Sequence, residues 1–162
     1  MIARNADFEK SRHNVLEVVS CGKGFGQIIR NVHVFRTDFF KVGITGNQIL
    51  ALSLRKAEQV GVVAQIYSHP VGYHGHAAGP AIGMWDMQGG VPGNGEYPLN
   101  ENTAYAIELN AKVKIPAWDN KEIRIMLEEQ GLFINNKVHY IDGRQKQILS
   151  IPRRGKVGYL GE

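Results

Sequence analysis

Apolar and polar positions along the chain change their period twice. In the first third they recur at helical spacing. Phe8, Val15, Leu16, Val18 and Val19 predict a helix opening near Asp7 as its N-cap, and Gly22-Lys23-Gly24-Phe25-Gly26 breaks it. Ile28, Val32, Phe35 and Phe39 then share one stripe, at steps of four, three and four, and predict a second helix. Thr45 opens a third: its hydroxyl can accept from the backbone three residues on while Gln48 reaches back, a capping box. Ile49, Leu52, Ala57 and Val60 would be the buried side of this helix, and Gly61 its stop. From Val62 to Pro98 the chain is rich in Gly, Pro and His, and periodic runs are scarce.

Period two follows. Thr103 to Val113 sets Tyr105, Ile107, Leu109 and Val113 on one face and Ala104, Ala106, Glu108 and Asn110 on the other. Glu122 to Glu128 alternates likewise, with Ile123, Ile125 and Leu127 opposed to Arg124, Met126 and Glu128. Leu132–Ile134, Val138–Ile141 and Gln145–Ile151 read as a meander closed by Asn135-Asn136 and Asp142-Gly143 turns, dipeptides that tolerate positive φ. The pattern predicts an α+β chain, helices first and an antiparallel sheet after, in one domain over residues 1–162.

Composition narrows the function. With 162 residues, 43% hydrophobic and 21% charged, the chain can bury a core and is not of the disordered class. A single cysteine, Cys21, excludes an internal disulfide and a CxxC pair. No run of about 18 apolar residues exists to span a bilayer as a helix. The first seven residues lack the apolar run of a signal peptide, so the default expectation is cytoplasmic, with a secreted or periplasmic site open if the chain belongs to a longer precursor. The net charge of +4 gathers toward the end, at Arg144, Lys146, Arg153, Arg154 and Lys156, making 152–162 a basic tail. No aromatic residues interleave with these charges, which argues for a solvated tail and against nucleic-acid binding. The Gly22–Gly26 segment has no strand before it and no lysine after it in phosphate-loop order, and reads as a helix–helix turn.

Candidate chemistry lies in two places. Ser68-His69-Pro70-Val71-Gly72-Tyr73-His74-Gly75-His76 puts three of the six histidines in a glycine-rich loop, and imidazole is both a neutral metal ligand and a proton shuttle. Pro70, Gly72 and Gly75 forbid a helical His pair there. Glu108 and Glu128 are borne on strands, Glu108 on a face otherwise made of Ala104 and Ala106, where a charge is costly unless paired or ligating. A histidine loop with two strand glutamates suits zinc, manganese, cobalt or iron.

In these residues the chain, from about Gly43 to Ile151, resembles the C-terminal part of the methionine aminopeptidase and Xaa-Pro peptidase family, the pita-bread metallopeptidases. His69, Gly72 and His76 fit its motif of a His, a Gly three residues on and a His seven residues on. Ala106-Ile107-Glu108-Leu109 and Arg124-Ile125-Met126-Leu127-Glu128-Glu129 look like its two glutamate strands, and the phrases HPVGYHGHAAGP and GMWDMQGG resemble the bacterial Xaa-Pro branch. The resemblance implies a curved antiparallel sheet, part of a pita-bread fold, and hydrolysis of an N-terminal Xaa-Pro peptide bond by a metal-activated water. It implies His69, Glu108 and Glu128 as metal ligands, with Glu108 also the general base and His76 bonding the scissile amide. A register with His76 as the ligand leaves Gly83 seven residues on. His74 matches no motif position and is expected outside the site.

The family holds two metals per site, using two further aspartates upstream. Asp7, Asp38, Asp86, Asp119 and Asp142 supply no such pair. The expectation is therefore a truncated catalytic domain lacking an N-terminal half, binding at most one metal and inactive alone. The alternative is a catalytically dead scaffold that binds a peptide or protein partner. An uncovered sheet face would favour a homo-oligomer.

Overall fold

The computed structural model describes residues 37–115, 119–144, 148–150 and 158–160. The helix expected from Asp7, the Gly22–Gly26 turn, nearly all of the helix on the Ile28–Phe39 stripe and the basic tail residues Arg153, Arg154 and Lys156 lie outside them. Residues 37–144 fall within one compact unit. The strands β6 (Ile148–Ser150) and β7 (Gly158–Leu160) belong to a second and pair with each other, antiparallel.

Helix α1 (Gly46–Gln59) begins where the capping box predicts. Gln48 N–H donates to Thr45 Oγ1 at 3.2 Å, and Thr45 N–H donates to Gln48 Oε1 at 2.9 Å. Gly61, at φ +71°, follows its last turn in a conformation glycine adopts without strain. The buried side differs from the expected one. Ile49 and Ala57 are buried, but Leu50 and Ser53 join them, whereas Leu52 is half-buried and Val60 is exposed. The stripe runs one position off the purely apolar reading because it includes a serine.

The chain then forms β1 (Val63–Ile66), β2 (His69–Pro70), β3 (Thr103–Ile115), β4 (Lys121–Ile134) and β5 (Lys137–Tyr140). They make one antiparallel sheet in the order β1-β3-β4-β5, with β2 also paired to β3. The first two strands correct the sequence reading, which placed no strand between Val62 and Pro98. At four and two residues they are too short to show a period. The strand β4 corrects it again: the segments read separately as Glu122–Glu128 and Leu132–Ile134 are one strand, because Glu129, Gln130 and Gly131 keep their register against β3. The turn to β5 runs through Asn135 and Asn136, both at positive φ, as expected. The meander does not continue as read, since the partner of β6 is β7.

Alternation on the long strands divides the sheet into two faces. Tyr105, Ile107, Leu109 and Ala111 of β3 and Phe133 of β4 are buried on one. Phe40 closes this core, its ring edge-on to Tyr105 at 5.3 Å and to Phe133 at 5.6 Å. On the opposite face lie Ala104, Ala106, Glu108 and Asn110, faced by Leu132, Gln130, Glu128 and Met126. Side-chain amides tie the 84–95 segment to this frame. Gln88 both accepts from Ile66 N–H (3.0 Å) and donates to its carbonyl (2.8 Å), acting as a one-residue strand neighbour. Asn47 does the same for Val91 from the first turn of α1.

Candidate functional site

The site forms where β1 gives way to β2. His69 pairs with Ala106 across β2 and β3, so its side chain emerges on the face that also carries Glu108 two residues on. The sequence reading set His69 in a loop; it stands on a strand, and this makes its reach toward Glu108 definite. His69 Nε2 lies 3.0 Å from Glu108 Oε1, and the two side chains are 21% and 24% exposed, shielded yet open to a small ligand. The other ring nitrogen is committed: Nδ1–H donates to the Pro70 carbonyl at 2.9 Å. With Nδ1 carrying a proton, the contact at Nε2 requires either a second proton or a cation to reconcile a lone pair with a carboxylate oxygen.

His76 joins the pair. Its ring stacks on that of His69, with centroids 4.2 Å apart and planes inclined by 13°. Pro70 O, which holds the His69 ring, also accepts from Ala77 N–H at 3.0 Å, and Gly75 N–H closes a turn onto Gly72 O at 3.0 Å. Gly72 is needed here, since a Cβ at that position would stand 2.9 Å from the His76 carbonyl oxygen and 3.0 Å from the Ala77 methyl. The His-Gly-His spacing noted in the sequence thus folds one histidine over the other. His74 is exposed and lies edge-on to Tyr73.

Glu128 is brought to the same face directly opposite Glu108. Two carboxylates in that relation repel each other unless something cationic joins them. The Glu128 carboxylate is exposed and accepts a long bond from Gln130 Nε2 at 3.5 Å. The structure therefore unites His69, His76 and Glu108 and sets Glu128 beside them. No group of three or more His, Cys, Asp or Glu side chains is gathered closely enough to hold a metal among the described residues.

Sequence reasoning missed two contributors, the Ser68 hydroxyl and the Pro70 carbonyl. Ser68 is fully buried and both donates to Glu108 O (3.2 Å) and accepts from Glu108 N–H (3.0 Å). Its only signal was position, a small hydroxyl residue immediately before the histidine.

No protein-family model and no curated protein matches the chain. Among solved structures it is similar to the X-Pro aminopeptidase of Thermotoga maritima, at TM-score 0.54 and 17% identity over 76% of this chain and 32% of that one. The prolidase of Pyrococcus horikoshii follows at TM-score 0.49 and 20% identity, over 76% and 32%. The dipeptidase PepE of Mycobacterium ulcerans follows at 0.45 and 16%, over 75% and 29%. The chain spans about a third of the length of these structures. The first likeness establishes the fold: a helix followed by an antiparallel sheet, part of the pita-bread fold. No helix among the described residues is long and apolar enough to cross a membrane.

Proposed function

We propose that this chain carries part of the centre of a metal-dependent exopeptidase acting on peptides with an N-terminal Xaa-Pro sequence. The observation that supports the reading is the 3.0 Å contact of His69 Nε2 with Glu108 Oε1, with His76 stacked above and Glu128 directly opposite Glu108. The donor set fits a divalent cation such as manganese, cobalt, zinc or iron. A cation there would also relieve the opposed carboxylates.

His69, Glu108 and Glu128 would hold it. When bound, such a cation polarises the scissile carbonyl and makes a water acidic enough to lose a proton near neutral pH. Glu108 would take that proton as general base, and His76 would donate to the scissile amide and steady its developing charge. The described carboxylates serve one cation, and we assign no turnover to the chain alone.

A second reading is favoured by one observation: the three proposed ligands are not gathered. In it the chain is an inactive pita-bread scaffold that binds a peptide or protein partner. Calorimetric titration of the full chain with Mn²⁺, Co²⁺ and Zn²⁺, beside an Xaa-Pro dipeptide assay, separates the two. The site reading expects one cation per chain and no hydrolysis. Two cations with turnover would overturn the single-cation assignment, and no binding of any cation would leave the scaffold.

A further inference from the structure

We infer that Ser68 is a positioning residue for the His69–Glu108 pair, acting through the main chain of Glu108; the inference rests on the reading of that pair as the site. Strands β1 and β2 keep a single register against β3, from Val63 opposite Lys112 to Ile66 opposite Leu109, and on to His69 opposite Ala106. The ladder is interrupted only at Tyr67 and Ser68. Tyr67 N–H still donates to Glu108 O at 3.2 Å. Glu108 N–H, which an unbroken ladder would direct to a backbone carbonyl, donates instead to Ser68 Oγ at 3.0 Å. The same hydroxyl returns its proton to Glu108 O at 3.2 Å.

The main chain of Ser68 meanwhile turns away from β3. Its N–H donates to Ile82 O at 3.1 Å, and its carbonyl accepts from Ile82 N–H at 2.8 Å. One residue thus serves two neighbours, its backbone joining Ile82 and its side chain standing in for a strand on Glu108. The consequence falls on the next residue. His69 is opposite Ala106, not Glu108, so its contact with Glu108 is diagonal and depends on the local offset of the two strands. Ser68 fixes that offset from the nearest possible point, and its hydroxyl has its donor and an acceptor position committed to doing so. Ser68 is fully buried, which keeps these two bonds free of competition from water.

The test compares Ser68→Ala and the near-isosteric Ser68→Cys with Ser53→Ala in the full chain. Ser53 is a buried serine on α1 whose hydroxyl meets no hydrogen-bond partner among the described residues, so it reports a purely structural loss. The first readout is the imidazole ¹⁵N shifts of His69 at one fixed pH without metal. Ser68→Ala is expected to move them toward the values of a Glu108→Gln variant, Ser68→Cys to move them part of the way, and Ser53→Ala to leave them unchanged. The second readout is Co²⁺ affinity, expected to fall by about tenfold or more in Ser68→Ala, a loss comparable to that of an outer-shell partner. A folded Ser68→Ala chain with wild-type His69 shifts overturns the inference; if that variant does not fold, wild-type shifts in Ser68→Cys do so. Should the wild-type chain bind no Co²⁺, the metal reading fails and the ¹⁵N shifts alone still decide the role of Ser68.

Discussion

Tyr105 carries its hydroxyl into the core, where no hydrogen-bond partner meets it among the described residues. Ionising it there would bury a lone charge, so burial pushes its pKa well above the ordinary tyrosine value. The folded chain therefore keeps this proton at a pH where the unfolded chain has released it. The associated stability is whole below the unfolded pKa of about 10 and is lost as pH rises toward the folded value, at up to ~1.4 kcal/mol per pH unit. Tyr105→Phe is expected to remove this part of the alkaline slope while changing neutral stability by no more than ~1 kcal/mol, since the hydroxyl it deletes has no partner to lose. Urea unfolding of both chains in neutral and alkaline buffer reads the difference; curves that fall in parallel would contradict it. At the same scale the site was legible only in part. The histidine-rich loop and Glu108 stood out by residue type and strand face, and His69, Gly72 and His76 by the family resemblance. The structure brings His69, His76 and Glu108 together, their roles being those proposed above. Ser68 could not, because its role depends on which way the backbone turns at the gap between two strands too short to leave a pattern.

At the scale of elements, legibility follows the strength of local signals. The start of α1 and the faces of β3 were readable because a capping box and a strict alternation each tie several residues to one conformation. The stripe on α1 was misjudged because burial of Ser53 is set by what packs against the helix, not by its own polarity. Strand β4 splits in the sequence reading because Glu129, Gln130 and Gly131 lack the apolar residues expected of a strand. Pairing with β3 on one side, and with β5 at Gly131 and Ile141 N–H on Gln130 O on the other, holds them extended. Gly131 in particular is buried against Ile107 and Val138, where a Cβ would come within 2.7 Å of each side chain. The cap supplies the prediction. Thr45→Ala removes the acceptor for Gln48 N–H and is expected to cost about 1 kcal/mol, whereas Thr45→Ser retains most of it. Chemical denaturation of the three chains tests this, and an alanine variant as stable as the serine one would show that α1 starts without help from its cap.

Across the molecule, the sheet assigns its two faces to different tasks, and adjacent residues of β3 show the division. Leu109 is fully buried on the core face, while Glu108, one position earlier, points to the opposite face toward His69. On the proposed cation site, substitutions on the two faces are expected to separate stability from cation binding. Leu109→Ala is expected to cost about 2–5 kcal/mol through lost burial and the cavity left behind, with the stabilisation gained from added Mn²⁺ unchanged wherever the chain remains folded. Glu128→Gln should do the reverse. In the absence of metal it removes one of two carboxylates directly opposite each other and is expected to raise stability by a few tenths of a kcal/mol, a gain that shrinks as salt screens the repulsion. With Mn²⁺ present, the proposed site predicts that it loses most of the cation-dependent rise in melting temperature, because the two proposed ligands that remain, His69 and Glu108, are too few to hold the ion tightly. Thermal melts of the wild type and both variants, with and without Mn²⁺ and at two salt concentrations, measure all of these terms together. A Glu128→Gln chain whose melting responds to Mn²⁺ as the wild type does would remove Glu128 from the site and leave the pairing of the two strands, rather than a shared cation, as the reason those carboxylates face each other.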